Sequence, residues 1–254
     1  DVLLVGNDSR TDAQGNPLTP EEIAMLHAGD EEADNTDTIM VIRIPNDGSS
    51  ATAISIPRDT YIHDDDLGNT KINGVYSGHK AIEKERLLAE GEKEGPSLER
   101  KAKAAGQRGL INAISDLTGI SVDHYAEVGL VGFVLLTDAV GGVEVCLNAP
   151  VNDEFSGANF PAGRQVLNGA QGLAFVRQRH GLPRGDLDRI VRQQAYMASL
   201  VSKILSTNML QGGTLLKLQD AAKRSLTLDS NWDLSQLAVQ MSNLTGGNVK
   251  FNTI

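Results

Sequence analysis

Five arginines, Arg177, Arg179, Arg184, Arg189 and Arg192, fall within LAFVRQRHGLPRGDLDRIVRQQ, residues 173–194. A guanidinium is planar, keeps its charge throughout the physiological range and matches phosphate oxygens two at a time, which a lysine ammonium does not reproduce. Asp186, Arg189 and Gln193 follow one another at spacings of three and four, so on a helix they share one polar face and can converge on one ligand. Taken singly, each arginine is as well explained by a surface ion pair. It is the density of the group that points to a phosphorylated ligand.

A second set of polar residues stands at the ends of apolar runs. Asp8 and Arg10 in GNDSR follow the run 2–5, and Asp37 precedes the run 38–44. Polar residues at strand ends of an α/β sheet tend to face the crevice where such folds bind ligands. Two carboxylates there suit Mg²⁺, a hard cation that takes one or two acidic ligands and completes its shell with water and phosphate oxygens. Alone, each aspartate is more often a turn former or a cap. The run 51–56 ends in SIPRD, where Pro57 stops pairing and Arg58 and Asp59 emerge, with Lys71 and Asn73 following in KIN. A local salt bridge across a turn accounts for Arg58 and Asp59 equally well.

The elements that must carry these groups are legible as periodicities. Runs 2–5, 38–44 and 51–56 are short, apolar and rich in Val and Ile, as strands buried on both faces are. Residues 125–128 and 143–147 read as further strands flanking an apolar helix over 131–140 that Gly141-Gly142 terminates. From Leu187 onward Leu187, Ile190, Val191, Ala198, Val201 and Leu205 form the apolar stripe of a long helix. Helices at 215–225 and 234–244, the latter opened by Asp233, precede a last strand at 249–252. Alternating strands and helices predict one layered α/β domain. Residues 11–36 read as an acidic surface loop and residues 80–108 as a solvated helical excursion; either could instead be a lid.

The bulk numbers set limits. The chain has 254 residues, 40% hydrophobic, with a formal net charge of -10, which suits one large globular domain or two small ones and opposes nucleic-acid binding. Cys146 is the only cysteine, so neither an intramolecular disulfide nor a cysteine metal cluster forms. Walker, GxGxxG, GxSxG and HExxH patterns are missing, and the five histidines lack ligand spacing. Only His180, beside Arg179, lies near the candidate chemistry.

Taken in order, LLVGNDSR, NTDTIMVIRI, AISIPRDTYI, KINGVYS, DHYAEVGLVGFVLLTDAVGGVEV, LNGAQGLAFVRQRH and RGDLDRIVRQQ resemble the LytR-CpsA-Psr family of bacterial cell-envelope proteins. The resemblance implies a three-layer α/β/α domain on a central mixed sheet, with a core over 2–205, C-terminal helices and strand over 206–254, and charged insertions at 11–36 and 80–108. It implies an enzyme that moves a glycopolymer from a polyprenyl pyrophosphate carrier to peptidoglycan, on the extracytoplasmic face of the cell membrane. The family's single N-terminal anchor helix would precede this sequence. The style of the insertions is similar to actinobacterial members, which implies an arabinogalactan-type polymer on a decaprenyl carrier.

By motif, Asp8 and Asp37 look like the family's Mg²⁺ ligands, with Mn²⁺ as a substitute, and Arg58 and Arg179 like its catalytic arginines on the pyrophosphate. Arg10, Lys71, Asn73, Arg177, Arg189 and Gln193 look like surrounding contacts, with Asp59 and Asp186 orienting them. Residues 131–140 would help line a prenyl channel, though core packing explains them too. Arg184 and Arg192 read as ordinary surface charges. The proton of the attacking hydroxyl goes to Asp37 or Asp59. Two rival readings use the same site: a pyrophosphatase with water as acceptor, and a regulatory module that binds lipid pyrophosphate without turnover.

Overall fold

The computed structural model describes residues 1–9, 11–26, 34–178, 180–204, 221–223, 226–229 and 249–254. Its elements run β1 (Val2–Asn7), α1 (Pro20–Met25), β2 (Thr36–Arg43), β3 (Ala51–Ser55), β4 (Tyr61–Asp64), β5 (Gly68–Lys71), α2 (Val75–Ala89), α3 (Pro96–Thr118), β6 (His124–Gly129) and α4 (Leu130–Ala139). There follow β7 (Val143–Leu147), β8 (Val151–Asp153), β9 (Ala158–Phe160), β10 (Gly163–Leu167), α5 (Gly169–Arg177), α6 (Asp186–Ile204), β11 (Leu226–Leu228) and β12 (Val249–Thr253). Six strands make a central sheet in the order β11-β6-β1-β2-β3-β12. It is mixed: β1 runs parallel to β6 and antiparallel to β2, and β3 runs parallel to β12. Helices flank it, as the α/β/α expectation required.

Alternation along the strands decides which layer each side chain meets. Leu3 and Val5 of β1, Ile39 and Val41 of β2 and Tyr125 of β6 join Tyr76 of α2 and Leu110 and Ile114 of α3 in one buried apolar cluster. α2 and α3 approach closely along Ala102, Gly106, Gly109 and Ala113, spaced four, three and four apart. A Cβ on Gly106 would stand 2.7 Å from the Tyr76 carbonyl oxygen, and one on Gly109 would stand 2.3 Å from the His79 ring.

Residues 80–108 are largely helical and mostly exposed, as a solvated excursion would be, yet one side of them is built into a packed layer through Leu87, Leu98, Ala102 and Gly106. Their small residues form a contact seam that a search for large apolar residues overlooks. Two of their lysines are buried with partners: Lys80 pairs with Asp34 and, at 2.5 Å, with Glu99, while Lys103 donates to the Asp12 carbonyl at 3.1 Å. The acidic stretch 11–36 is also partly built in. Thr19 and Glu22 cap α1 reciprocally, and Leu18 and Leu26 are buried.

The opposite layer consists of α4, α5 and α6. α5, which periodicity alone did not reveal, opens on a reciprocal cap between Asn168 and Gln171. It lies tightly against its neighbours: a Cβ on Gly169 would be 2.4 Å from the Val134 carbonyl, and one on Gly172 would be 2.1 Å from the Tyr196 hydroxyl. β6, α4 and β7 follow in the expected strand, helix, strand order, and β7 pairs with β10 in a two-stranded ladder separate from the central sheet. Gly141 and Gly142, at φ 77° and 86°, terminate α4 as expected, their amides donating to the Asp138 and Thr137 carbonyls. β7 then buries only Val143, Val145 and Leu147 while Glu144 and Cys146 face outward. The helix expected at 234–244 and most of that at 215–225 lie outside the described residues, whereas the expected last strand is β12. Among the described residues, no helix is long and apolar enough to cross a membrane.

Candidate functional site

β1 and β2 pair regularly from Val2 with Ile42 to Gly6 with Thr38, after which Asn7 pairs with Thr36. Asp37 is thus the extra residue of a bulge, a device that re-aims a side chain without ending the ladder. In an unbroken strand Asp37 would share the face of Ile39 and Val41, toward α2 and α3. Instead it lines a cavity and accepts a hydrogen bond from Arg58 Nη1 at 2.5 Å. Asp8 follows directly on β1, and its amide donates to the Asn35 carbonyl at 3.3 Å, closing the strand pair beside the bulge. Arg58 leaves β3 through a tight turn in which the Thr60 amide and hydroxyl both donate to the Pro57 carbonyl. The Asn73 amide holds the Arg58 carbonyl at 3.2 Å.

The cavity, about 740 Å³, lies between β1, β2 and β6 on one side and α4, α5 and α6 on the other. Its chemistry changes along each wall. β1 contributes Leu4, then Gly6, then Asp8 beyond its end; α6 contributes Arg189 and Gln193, then Met197 and Leu200 down the same face; α5 contributes Leu173 and Val176 before ending at Arg177. Leu130, Phe133 and Leu136 of α4 complete the apolar part, as expected of residues 131–140. One end of the space is thus charged and the other apolar, which fits an amphipathic molecule with an anionic head.

Of the residues singled out in the sequence, Asp8, Asp37, Arg58, Asn73, Arg177, Arg189 and Gln193 all line this cavity. Arg189 and Gln193 are buried, at 3% and 8% exposure. Arg177 donates to the Leu26 carbonyl at 3.3 Å, and its place in the last turn of α5 puts its charge where the helix dipole favours it. Arg10 and Arg179 lie outside the described residues, and of Asp186 only the backbone, at the start of α6, is described.

Two of the expected residues do not line the cavity. Lys71 and Asp59 pair with each other at 2.7 Å just outside it, with side chains 60% and 45% exposed. The hydrogen bond from Lys71, opposed by partial burial and helped by the charges of Arg58, Lys71 and Arg189, holds the Asp59 carboxyl below its ordinary range. Arg184 is the exposed surface charge expected of it, paired with Asp188 at 2.6 Å. Arg192 is not: it is half-buried, donates to the Gln178 side chain and lies 5.1 Å over the Phe175 ring. The helical turn after Arg189 carries it against α5, a contact that sequence spacing does not show.

The mouth also holds residues that sequence reasoning passed over. Asp153, buried at the end of β8, accepts from the Phe155 amide and the Ser156 hydroxyl and so shapes the β8–β9 turn. Phe155, 81% exposed, stacks on His180 with ring centroids 4.4 Å apart. Asx-turn spacing, Asp153 to Phe155, was the available signal. The structure also brings His79 together with Asp64 and Asp66, a grouping invisible in the scattered histidine positions. There Asp64 accepts from the Asp66 and Leu67 amides and faces His79 Nε2 at 2.9 Å, which reads as a lock between the β4–β5 turn and α2.

The architecture is an α/β/α sandwich whose sheet and one helical layer enclose an apolar space with aspartates and arginines at one end. The chain belongs to the LytR-CpsA-Psr family, whose model matches residues 1–254. It is 66% identical to the cell wall biosynthesis protein LcpA of Corynebacterium glutamicum, over all of this chain and 49% of that protein. It is 30% identical to a polyisoprenyl-teichoic acid–peptidoglycan teichoic acid transferase, TagU, of Bacillus mycoides, over 85% of this chain and 64% of that one. The corynebacterial relative places it with the actinobacterial members. The chain spans about half the length of the corynebacterial relatives it matches. Among solved structures, a LytR-Csp2A-Psr enzyme from Actinomyces oris superposes with a TM-score of 0.69 at 21% identity, covering 99% of this chain and 79% of that one. That likeness bears on the fold.

Proposed function

We propose that this chain is the catalytic domain of a phosphotransferase that moves a glycopolymer, of arabinogalactan type, from a decaprenyl pyrophosphate carrier to peptidoglycan. The observation that carries the reading is the amphipathic cavity, whose apolar walls suit a prenyl chain and whose charged end suits its pyrophosphate. The relatives named for cell wall biosynthesis and for teichoic acid transfer support the reaction class and an envelope location. Attachment to the extracytoplasmic face of the membrane through a preceding helix is part of the same proposal.

Asp8 and Asp37 fit a divalent cation. They are hard oxygen donors on neighbouring strand ends, and the bulge serves to aim one of them. The charge count agrees: the described lining residues include three arginines, Arg58, Arg177 and Arg189, and three aspartates, Asp8, Asp37 and Asp153, so a pyrophosphate would add negative charge to a balanced site. Mg²⁺, or Mn²⁺ in its place, supplies charge neutralisation on the phosphate oxygens. Arg58, Arg177 and Arg189 grip the pyrophosphate and stabilise the charge that develops on it.

A muramic acid hydroxyl oxygen attacks the sugar-bearing phosphorus. A new phosphodiester bond forms, the bond to the bridging oxygen breaks, and polyprenyl phosphate leaves. Of the two carboxylates considered for the hydroxyl proton, Asp37 reaches the cavity and Asp59 does not. The test is incubation with a polyprenyl pyrophosphate-linked oligosaccharide and Mg²⁺, with and without peptidoglycan fragments. The expected product carries the oligosaccharide on the acceptor; hydrolysis alone, equal in both arms, would replace this reading with the pyrophosphatase, and tight binding without turnover with the regulatory module.

A further inference from the structure

Beneath the bulge, on the face of the sheet turned away from the prenyl space, lies a buried carboxylate that the reaction does not use. Glu127 of β6 is 3% exposed. It accepts hydrogen bonds from Asn7 Nδ2 at 2.5 Å and Tyr125 Oη at 2.9 Å, and longer ones from Gln107 Nε2 at 3.2 Å and Tyr76 Oη at 3.3 Å. These donors come from β1, β6, α3 and α2. A buried carboxylate is tolerated only when its lone pairs are so occupied.

The Asn7 donor is the informative one. Asn7 is the residue at which the β1–β2 register shifts. Its other side-chain atom, Oδ1, accepts from the Ser9 amide at 3.2 Å, a turn that spans Asp8. One amide side chain therefore ties together the bulge, the segment carrying Asp8 and a buried anchor on the neighbouring strand β6. A covalent neighbour held at both ends leaves the Asp8 backbone little freedom.

We propose that Glu127 is a positioning residue for the cation site, acting through Asn7 to hold the segment that presents Asp8 opposite Asp37. This inference rests on the reading of Asp8 and Asp37 as cation ligands. Groups that orient metal ligands typically influence affinity by about 10- to 100-fold when removed. The structure thus makes α2 and α3 the support of a site to which neither contributes a ligand.

The test measures Mn²⁺ binding to the purified full chain by electron paramagnetic resonance, without substrate, beside thermal melting. Glu127→Ala and Asn7→Ala should each weaken Mn²⁺ binding by about tenfold or more. Glu127→Gln keeps an oxygen for the Asn7 amide and should lose less than the roughly tenfold expected when the orienting group is removed. Tyr125→Phe removes a Glu127 hydrogen bond without touching Asn7, and should lower the melting temperature while leaving Mn²⁺ affinity alone. If Glu127→Ala does not fold, Asn7→Ala decides the matter. Parent-like Mn²⁺ affinity in folded Asn7→Ala overturns the inference alone, as does an equal loss in Tyr125→Phe. No Mn²⁺ binding by the parent chain overturns the cation reading of Asp8 and Asp37 and this inference with it.

Discussion

The two faces of the central sheet are built on opposite terms. On one, Leu3, Val5, Ile39, Val41 and Tyr125 merge with residues of α2 and α3 into a single filled core. On the other, the buried cluster formed by α4, α5, α6 and the small hairpins contains no residue of the six central strands. Between that cluster and the sheet lies the cavity. A close-packed interior resists any change of volume, so the filled face can serve as a foundation while the gap on the other face admits a ligand. The charged residues gather where strands leave the sheet on the open side. The bulge at Asp37 is the joint at which the two regimes meet.

Substitutions that separate the two faces put this division to the test. Arg58→Ala acts only on the open side and should show the largest effect. Loss of an arginine from a phosphoryl-transfer site costs about 10³-fold or more in rate, while the chain should still fold, with some loss of melting temperature because Arg58 and Asp37 are each only 21% exposed and Asp37 loses this partner. A transfer assay beside a melting curve checks both halves; near-parent transfer would remove Arg58 from the site.

Leu110→Ala is the mirror image. Leu110 is fully buried in the filled core, so its truncation should destabilise the fold by about 2–5 kcal/mol in urea denaturation. Transfer per folded molecule should stay near the parent value. Leu136→Trp then narrows the cavity from α4. It should weaken binding of a long prenyl pyrophosphate by roughly tenfold, on the scale of one or two excluded methylenes at about 0.8 kcal/mol each. A short-chain analogue should bind as before, and equal loss for both would argue that Leu136 faces something other than the chain.

The open face was the more legible of the two in the sequence. Its residues are chemically conspicuous: Asp8, Asp37 and Arg58 stand at the ends of Val- and Ile-rich runs, and Arg189 and Gln193 are four apart on an obvious helix. The filled face is assembled from Ala102, Gly106, Gly109 and Ala113, whose contribution is the absence of a side chain, and from lysines whose partners lie far along the chain. The β4–β5 and β8–β9 hairpins were missed because their short strands carry little apolar alternation and depend on turns built by Asp64 and Asp153. Motif position suggested a ligand contact for Lys71 and an orienting role for Asp59; Asp59 does stand 3.8 Å from Arg58 Nε, but Lys71 pairs with Asp59 outside the cavity.

That pair yields the smallest and most pH-specific prediction. Asp59 is held below its ordinary range chiefly by the Lys71 hydrogen bond, with burial opposing, so its ionised form is favoured in the folded chain. A depressed carboxyl stabilises the fold at pH values above its unfolded pKa, near 3.9, and that contribution disappears as pH falls through the lower folded value. Both side chains are about half exposed, so water and salt screen the pair to less than about 1 kcal/mol. Lys71→Ala should therefore be slightly less stable than the parent at pH 7 in low salt, and the gap should close as the solution is acidified below about pH 4. Transfer should fall far less than in Arg58→Ala, because Lys71 stands outside the cavity. A loss of rate comparable to that of Arg58 would show that the pair opens on binding and that the charged end extends beyond the walls seen here.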